Sequence, residues 1–169
     1  DVMLDKFVYG DVSRISPEAP VPVCSVLTET VMIGGAGNVA SNLAAIGVLV
    51  NFVSVIGPDR ASDEIQSLIG NADRIVPEFI SDSKRRATIK ERFFAGPQQL
   101  LRVDREETQN VSEDISDRIV AYAKKTLKNV GALVLSDYGK GVLSTDIIRK
   151  LIDAADQVNC PVIVDPKGD

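Results

Sequence analysis

The chain has 169 residues, 44% of them hydrophobic, and a formal net charge of -5. That length suits one α/β-sized domain burying about 70% of its unfolded surface, and the acidic balance argues against nucleic acid as its main partner. Histidine is absent, which removes Ser-His-Asp catalysis and most zinc sites, so chemistry falls to carboxylates, Lys, Arg, backbone amides and a bound metal-nucleotide.

In chain order, "DVML" reads as the end of a strand, and residues 6–33 follow with "RISPEAPVPVCSVLTETV". Pro20 and Pro22 alternate there with Val21 and Val23; prolines donate no ladder hydrogen bonds, so this segment fits an edge strand. After the glycines of "GGAGNVA", Val39, Leu43 and Ile46 are predicted to share a buried helix face. Strands are expected at about 50–57, 131–136 and 161–165, short apolar runs suited to a parallel sheet covered by helices. Between them, Ile65, Leu68 and Ile69 mark a helix. Residues 86–104 give two further strands around the Ala95-Gly96-Pro97 turn. Helices then follow Ser112 and either Ser144 or Thr145 as caps. Strands alternating with helices imply right-handed parallel crossovers.

Cys24 and Cys160 lie far apart without a CxxC partner, which favours free thiols in a reducing cytoplasm. No run approaches the ~20 apolar residues of a membrane span. The "KRR" run at 84–86 has no aromatic platform beside it and reads as a solvated turn.

The glycine turn admits three readings. Gly35-x-Gly37-x-x-Ala40 satisfies the dinucleotide fingerprint, with Asp59 placed as a ribose-binding acid, but the strand before it is interrupted by Thr28, Glu29 and Thr30. A second reading is a turn that only starts a helix. In the third, backbone amides and Asn38 grip sugar hydroxyls, since an amide side chain both donates and accepts.

The run Gly34-Gly35-Ala36-Gly37-Asn38-Val39-Ala40, with Gly47 and Gly57 after it, closely resembles the first signature of the ribokinase/PfkB carbohydrate kinases. "DVMLD", "RISPEAPVPV", "QQLLRVDRE", "LSDYGKG" and "DPKG" extend the resemblance over the whole chain. They narrow it to the branch that phosphorylates D-glycero-β-D-manno-heptose 7-phosphate at its anomeric hydroxyl, for lipopolysaccharide inner-core (ADP-heptose) synthesis. The resemblance implies an α/β ribokinase-like fold: a mostly parallel sheet flanked by helices, with a small β-sheet lid. Residues 1–169 would form the N-terminal part of one kinase domain, with lid strands within 6–33 and 86–104. The family's second signature, of the D-T-x-G-A-G-D type, is not found. The catalytic base is therefore expected beyond Asp169, and these residues alone are not expected to turn over ATP.

The resemblance places Asp5 and the turn residues Gly34, Gly35 and Asn38 on the sugar. Lys90 and Arg92 lie on one strand face about 7 Å apart and suit a phosphate clamp; a solvated outer face is the alternative. Arg14 and Lys140 have comparable claims on the phosphate, and Arg102 has a weaker one because Asp104 could pair with it. Asp137 suits sugar binding, magnesium organisation or a structural loop bond. Lys167 is implied to face the ATP phosphates. ATP and Mg²⁺ are the implied cofactors, and a homodimer through the lid is the implied assembly, with no membrane or nucleic-acid partner. Rival classes are a dinucleotide-binding oxidoreductase domain and a non-catalytic sugar-phosphate-binding or dimerising module.

Overall fold

A computed structural model describes residues 1–167. Its elements run β1 (Val2–Ile15), β2 (Pro22–Gly35), α1 (Ala36–Ala45), β3 (Val50–Ile56), α2 (Arg60–Gly70), β4 (Ile75–Ser81), β5 (Thr88–Ala95), β6 (Gln98–Arg105), α3 (Glu113–Thr126), β7 (Leu133–Ser136), α4 (Thr145–Asp156) and β8 (Val162–Asp165). No helix among the described residues is long and apolar enough to cross a membrane.

Two parallel pairs, β3 with β4 and β7 with β8, form the helix-covered part of the fold. Side chains alternate along a strand, and β3 uses that alternation to serve two cores. Phe52 and Ile56 join Val2, Leu4, Ala40, Ala61, Ile65 and Ile69 on the side of α1 and α2. Val53 and Val55 join Ile115, Ile119, Leu135, Ile147 and Leu151 on the side of α3 and α4. Helices cover both faces, as the apolar runs require.

The remaining strands make a four-stranded sheet in the order β2-β1-β5-β6. β2 runs antiparallel to β1 at its edge, β5 runs parallel to β1, and β6 returns antiparallel through a turn with Gly96 at φ 55°. The proline-rich segment is thus an edge, as its missing donors dictate. β1 also ties this sheet to the body: the Val2 amide donates to Ser54 Oγ at 3.3 Å.

Two expectations are corrected. Helix α1 does not bury Val39, Leu43 and Ile46; it packs through Gly37 and Ala40, while Ile46 lies beyond its end and is 79% exposed. Small residues win because the helix lies hard against the sheet, where a Cβ on Gly37 would collide with Ile33. Ser112 occupies the cap position of α3 but its side chain accepts no hydrogen bond there, whereas Ser144 caps α4 by accepting from the Ile147 amide. Both thiols are free, with Cys160 buried and Cys24 half-buried.

Candidate functional site

The pairing of β1 with β5 sets the site. Asp5 lies opposite Lys90 and Phe7 opposite Arg92, so Asp5, Phe7, Lys90 and Arg92 share one face of the four-stranded sheet. Arg92 Nη1 donates to Asp5 Oδ1 at 2.7 Å and its guanidinium covers the Phe7 ring at 5.2 Å. Phe7, Tyr9 and Phe94 stack beyond it, giving the face an aromatic floor.

The second oxygen of Asp5 lies over the glycine turn. A Cβ on Gly34 would collide with Asp5 Oδ2, so the missing side chain is what lets the carboxylate sit there. Among the described residues no donor is bonded to Oδ2. Gly35 follows at φ 59° and ψ -138°, a conformation that L side chains rarely adopt, and it starts α1 with no side chain capping the helix. Asn38 stands exposed in the first turn of α1. A half-buried carboxylate with one unbonded oxygen, two glycines and a helix start without a side-chain cap therefore meet at one place. Such a set can take a ligand rich in hydroxyls.

Beside it runs a chain of alternating charges. Arg102 Nε donates to Asp104 Oδ1 at 2.8 Å, and Lys90 Nζ donates to Asp104 Oδ2 at 2.9 Å. Lys90 also lies 3.5 Å from Glu106, and Glu106 lies 2.7 Å from Lys140 Nζ. The neighbouring lysines hold the carboxyls of Asp104 and Glu106 below their ordinary range, Lys90 dominating at the first and Lys140 at the second. Arg102 takes the pairing with Asp104 that its sequence allows. Lys90, Arg92 and Arg102 thus share one face, with Lys140 joined to it through Glu106, but each of the four is already bonded to a carboxylate.

Lys140 is buried on the loop between β7 and α4. The loop is shaped by Asp1, whose carboxylate accepts from the backbone amides of Tyr138, Lys140 and Val142 at 2.9–3.1 Å. Asp137 accepts from the Gly139 amide at 2.8 Å through Oδ1, and Lys167 lies across Gly139. Among the described residues no three His, Cys, Asp or Glu gather as a metal ion would need. Arg14 is not brought to the site. It stands exposed near the far end of β1, nine residues and about 30 Å along the strand from Asp5.

The "KRR" run is not a solvated turn throughout, because Arg85 is buried. Its guanidinium donates to the carbonyls of Lys140 and Gln109, both at 2.6 Å, and so joins the β7–α4 loop to the segment that leaves β6. Asp1, Arg85 and Glu106 are the residues sequence reading missed. For Glu106 a signal existed: Arg102, Asp104 and Glu106 alternate along β6 and its extension, opposite Lys90. For Asp1 and Arg85 none did, since both act on loops whose approach depends on the whole fold.

The fingerprint reading of the turn fails on topology. The strand before it, β2, is an antiparallel edge strand, not the buried parallel strand that a dinucleotide site needs. Asp59 is also engaged: it caps α2 by accepting from Ser62 at 2.9 Å and holds the Ala87 amide at 2.8 Å. A groove of about 820 Å³ between the sheet and α2 lies on the opposite face, lined by Lys6, Arg60, Glu64 and Glu91 among others, and none of the candidate residues lines it.

Comparison with known proteins gives the family and the fold. A family model described as pfkB family carbohydrate kinase matches residues 3–169. A protein named Bifunctional protein HldE from Paramagnetospirillum magneticum is 51% identical over 99% of this chain, and its namesake from Rhodospirillum rubrum is 49% identical over the same share. The chain spans 34% of the length of each. Among solved structures, phosphofructokinase-2 from Escherichia coli in complex with fructose-6-phosphate superposes with a TM-score of 0.69 at 19% identity, covering 99% of this chain and 53% of that one. A carbohydrate kinase from Agrobacterium tumefaciens gives 0.72 at 15% identity, covering 96% and 50%. At such identities the structures speak for the fold alone.

Proposed function

This chain belongs to the pfkB family of carbohydrate kinases, and from that membership we propose that it supplies the sugar-phosphate-binding part of a kinase. The proposed acceptor is D-glycero-β-D-manno-heptose 7-phosphate and the donor is ATP, giving the 1,7-bisphosphate in a cytoplasmic route to ADP-heptose and the lipopolysaccharide inner core. The observation that carries the reading is the open oxygen of Asp5, seated against Gly34 beside the Arg92 and Lys90 cations.

In this reading Asp5 Oδ2 accepts from two adjacent sugar hydroxyls, and Asn38 and the backbone at Gly34 and Gly35 fix the ring. Arg92 orients Asp5 through its 2.7 Å bond to Oδ1. Lys90 and Lys140, with Arg102 at the rim, take the distal phosphate by charge-assisted hydrogen bonds. The four-stranded sheet acts as a lid whose closure keeps water from the donor phosphate. Arg14, remote within one chain, would reach a phosphate only across a dimer built through the lid. Lys167 is assigned to the ATP side of the cleft. Magnesium is given no ligands here, because the described residues offer no cluster for it. The reading also assigns no base to these residues, so the 169-residue chain alone is expected not to turn over ATP.

The test follows the product of the full-length protein with ATP by phosphorus NMR. Formation of an anomeric phosphate on the heptose 7-phosphate, with little on the unphosphorylated heptose, supports the reading. Equal use of both sugars, or of neither, contradicts it.

A further inference from the structure

Lys140 is a buried cation, and a buried charge is tolerated only when paired. Among the described residues the one carboxylate in contact with its ammonium is Glu106, at 2.7 Å. Glu106 also reaches Lys90, at 3.5 Å, and Lys90 in turn holds Asp104 at 2.9 Å. The two lysines come from different parts of the fold, one from strand β5 and the other from the β7–α4 loop. Glu106 sits just past the end of β6, at the surface, with its side chain 32% exposed while that of Lys140 is 8% exposed. The arrangement is a pair of cations bridged by one carboxylate whose side chain reaches the surface.

We propose that Glu106 is a built-in stand-in for the ligand's phosphate, holding Lys90 and Lys140 together until an incoming phosphate displaces it. The inference rests on the assignment of those two lysines to the substrate phosphate. It adds a positioning residue that tunes how strongly the site takes anions. A carboxylate bridging two ammoniums occupies the place, and satisfies the charge, that a phosphate oxygen would. Displacement returns Glu106 to water at small cost because it is already at the surface. Arg85 keeps the Lys140 backbone in place meanwhile, through its 2.6 Å bond to that carbonyl.

The experiment is calorimetric titration of the full-length protein with inorganic phosphate, comparing the parent with Glu106→Gln, Glu106→Asp and Lys140→Gln. Removing the competing charge in Glu106→Gln is expected to tighten phosphate binding about three- to tenfold, the range of one or two released surface pairs, and to lower the KM for the phosphorylated sugar without changing that for ATP. Glu106→Asp, which keeps the charge but shortens its reach, is expected to fall between and serves if the first variant does not fold. Lys140→Gln is expected to weaken binding. Unchanged or weaker binding in Glu106→Gln, while Lys140→Gln still loses affinity, overturns the stand-in and leaves the phosphate site standing. Parent and Lys140→Gln binding phosphate equally, or not at all, overturns both.

Discussion

At the scale of single residues, the site depends on carboxylates whose second oxygen is left open or engaged by design of the surrounding backbone. Asp5 is the open case. Asp5→Ala in the full-length protein is predicted to reduce kcat/KM for the sugar about ten- to a hundredfold, the value of one or two hydrogen bonds to a charged group. Asp5→Asn should recover little of it, because Arg92 would lose its counter-charge. Steady-state kinetics with saturating ATP checks this, and parameters within twofold of the parent contradict it. Asp1 is the engaged case, both of its oxygens accepting from amides of the β7–α4 loop, which Arg85 also holds. Arg85→Ala leaves the carbonyls of Lys140 and Gln109 without their donors and is predicted to cost about 2–4 kcal/mol in a urea titration. Arg85→Lys should not restore it, since a single ammonium cannot span two carbonyls as the guanidinium fork does.

At the scale of elements, the sequence was legible wherever one local rule governed. The apolar runs of β3, β7 and β8, the proline-marked edge strand and the hairpin at Gly96 are each dictated by a few neighbouring residues, and the structure has them all. Helix α1 departs from its apolar pattern, because its large apolar residues do not mark its buried face. Close packing against the sheet selects Gly37 and Ala40, and that distance is a tertiary fact. The candidate site is half legible: the motif marks Asp5, alternation puts Lys90 and Arg92 on one face, and the Arg102–Asp104 pair is local, but the meeting of Lys90 and Lys140 at Glu106 joins β5, the end of β6 and a distant loop and depends on the whole fold. Two substitutions test the elements. Gly35→Ala forces a side chain into φ 59° and toward the Asp1 carbonyl, predicting a loss of at least about 1–2 kcal/mol. Ile65→Ala empties a fully buried position between α2 and β3 and should cost about 2–5 kcal/mol. Chemical denaturation measures both.

At the scale of the whole molecule, two helix-covered pairs of strands carry a sheet whose inner face is charged, and the charges join the two parts. The Glu106–Lys140 pair and the Arg85 bonds are the links. Because Asp104 and Glu106 have lowered pKa values in the folded chain, their contribution is fully present above the unfolded carboxylate range, about pH 4, and is lost as pH falls through the lower folded values. The share of the urea midpoint carried by these two carboxylates should therefore be flat from pH 7 to about pH 5 and fall below about pH 4. Glu106→Gln should flatten part of that fall.

Whether the glycine turn and Asp5 hold a sugar whose phosphate lies on the Lys90 and Lys140 side is decided by calorimetric titration of the full-length protein with D-glycero-β-D-manno-heptose 7-phosphate, with NAD as the control ligand and Asp5→Ala as the control protein. Saturable binding of the sugar phosphate is expected, at least about tenfold weaker in Asp5→Ala, with no binding of NAD. Binding of NAD, or a sugar affinity that Asp5→Ala leaves unchanged, would contradict that assignment.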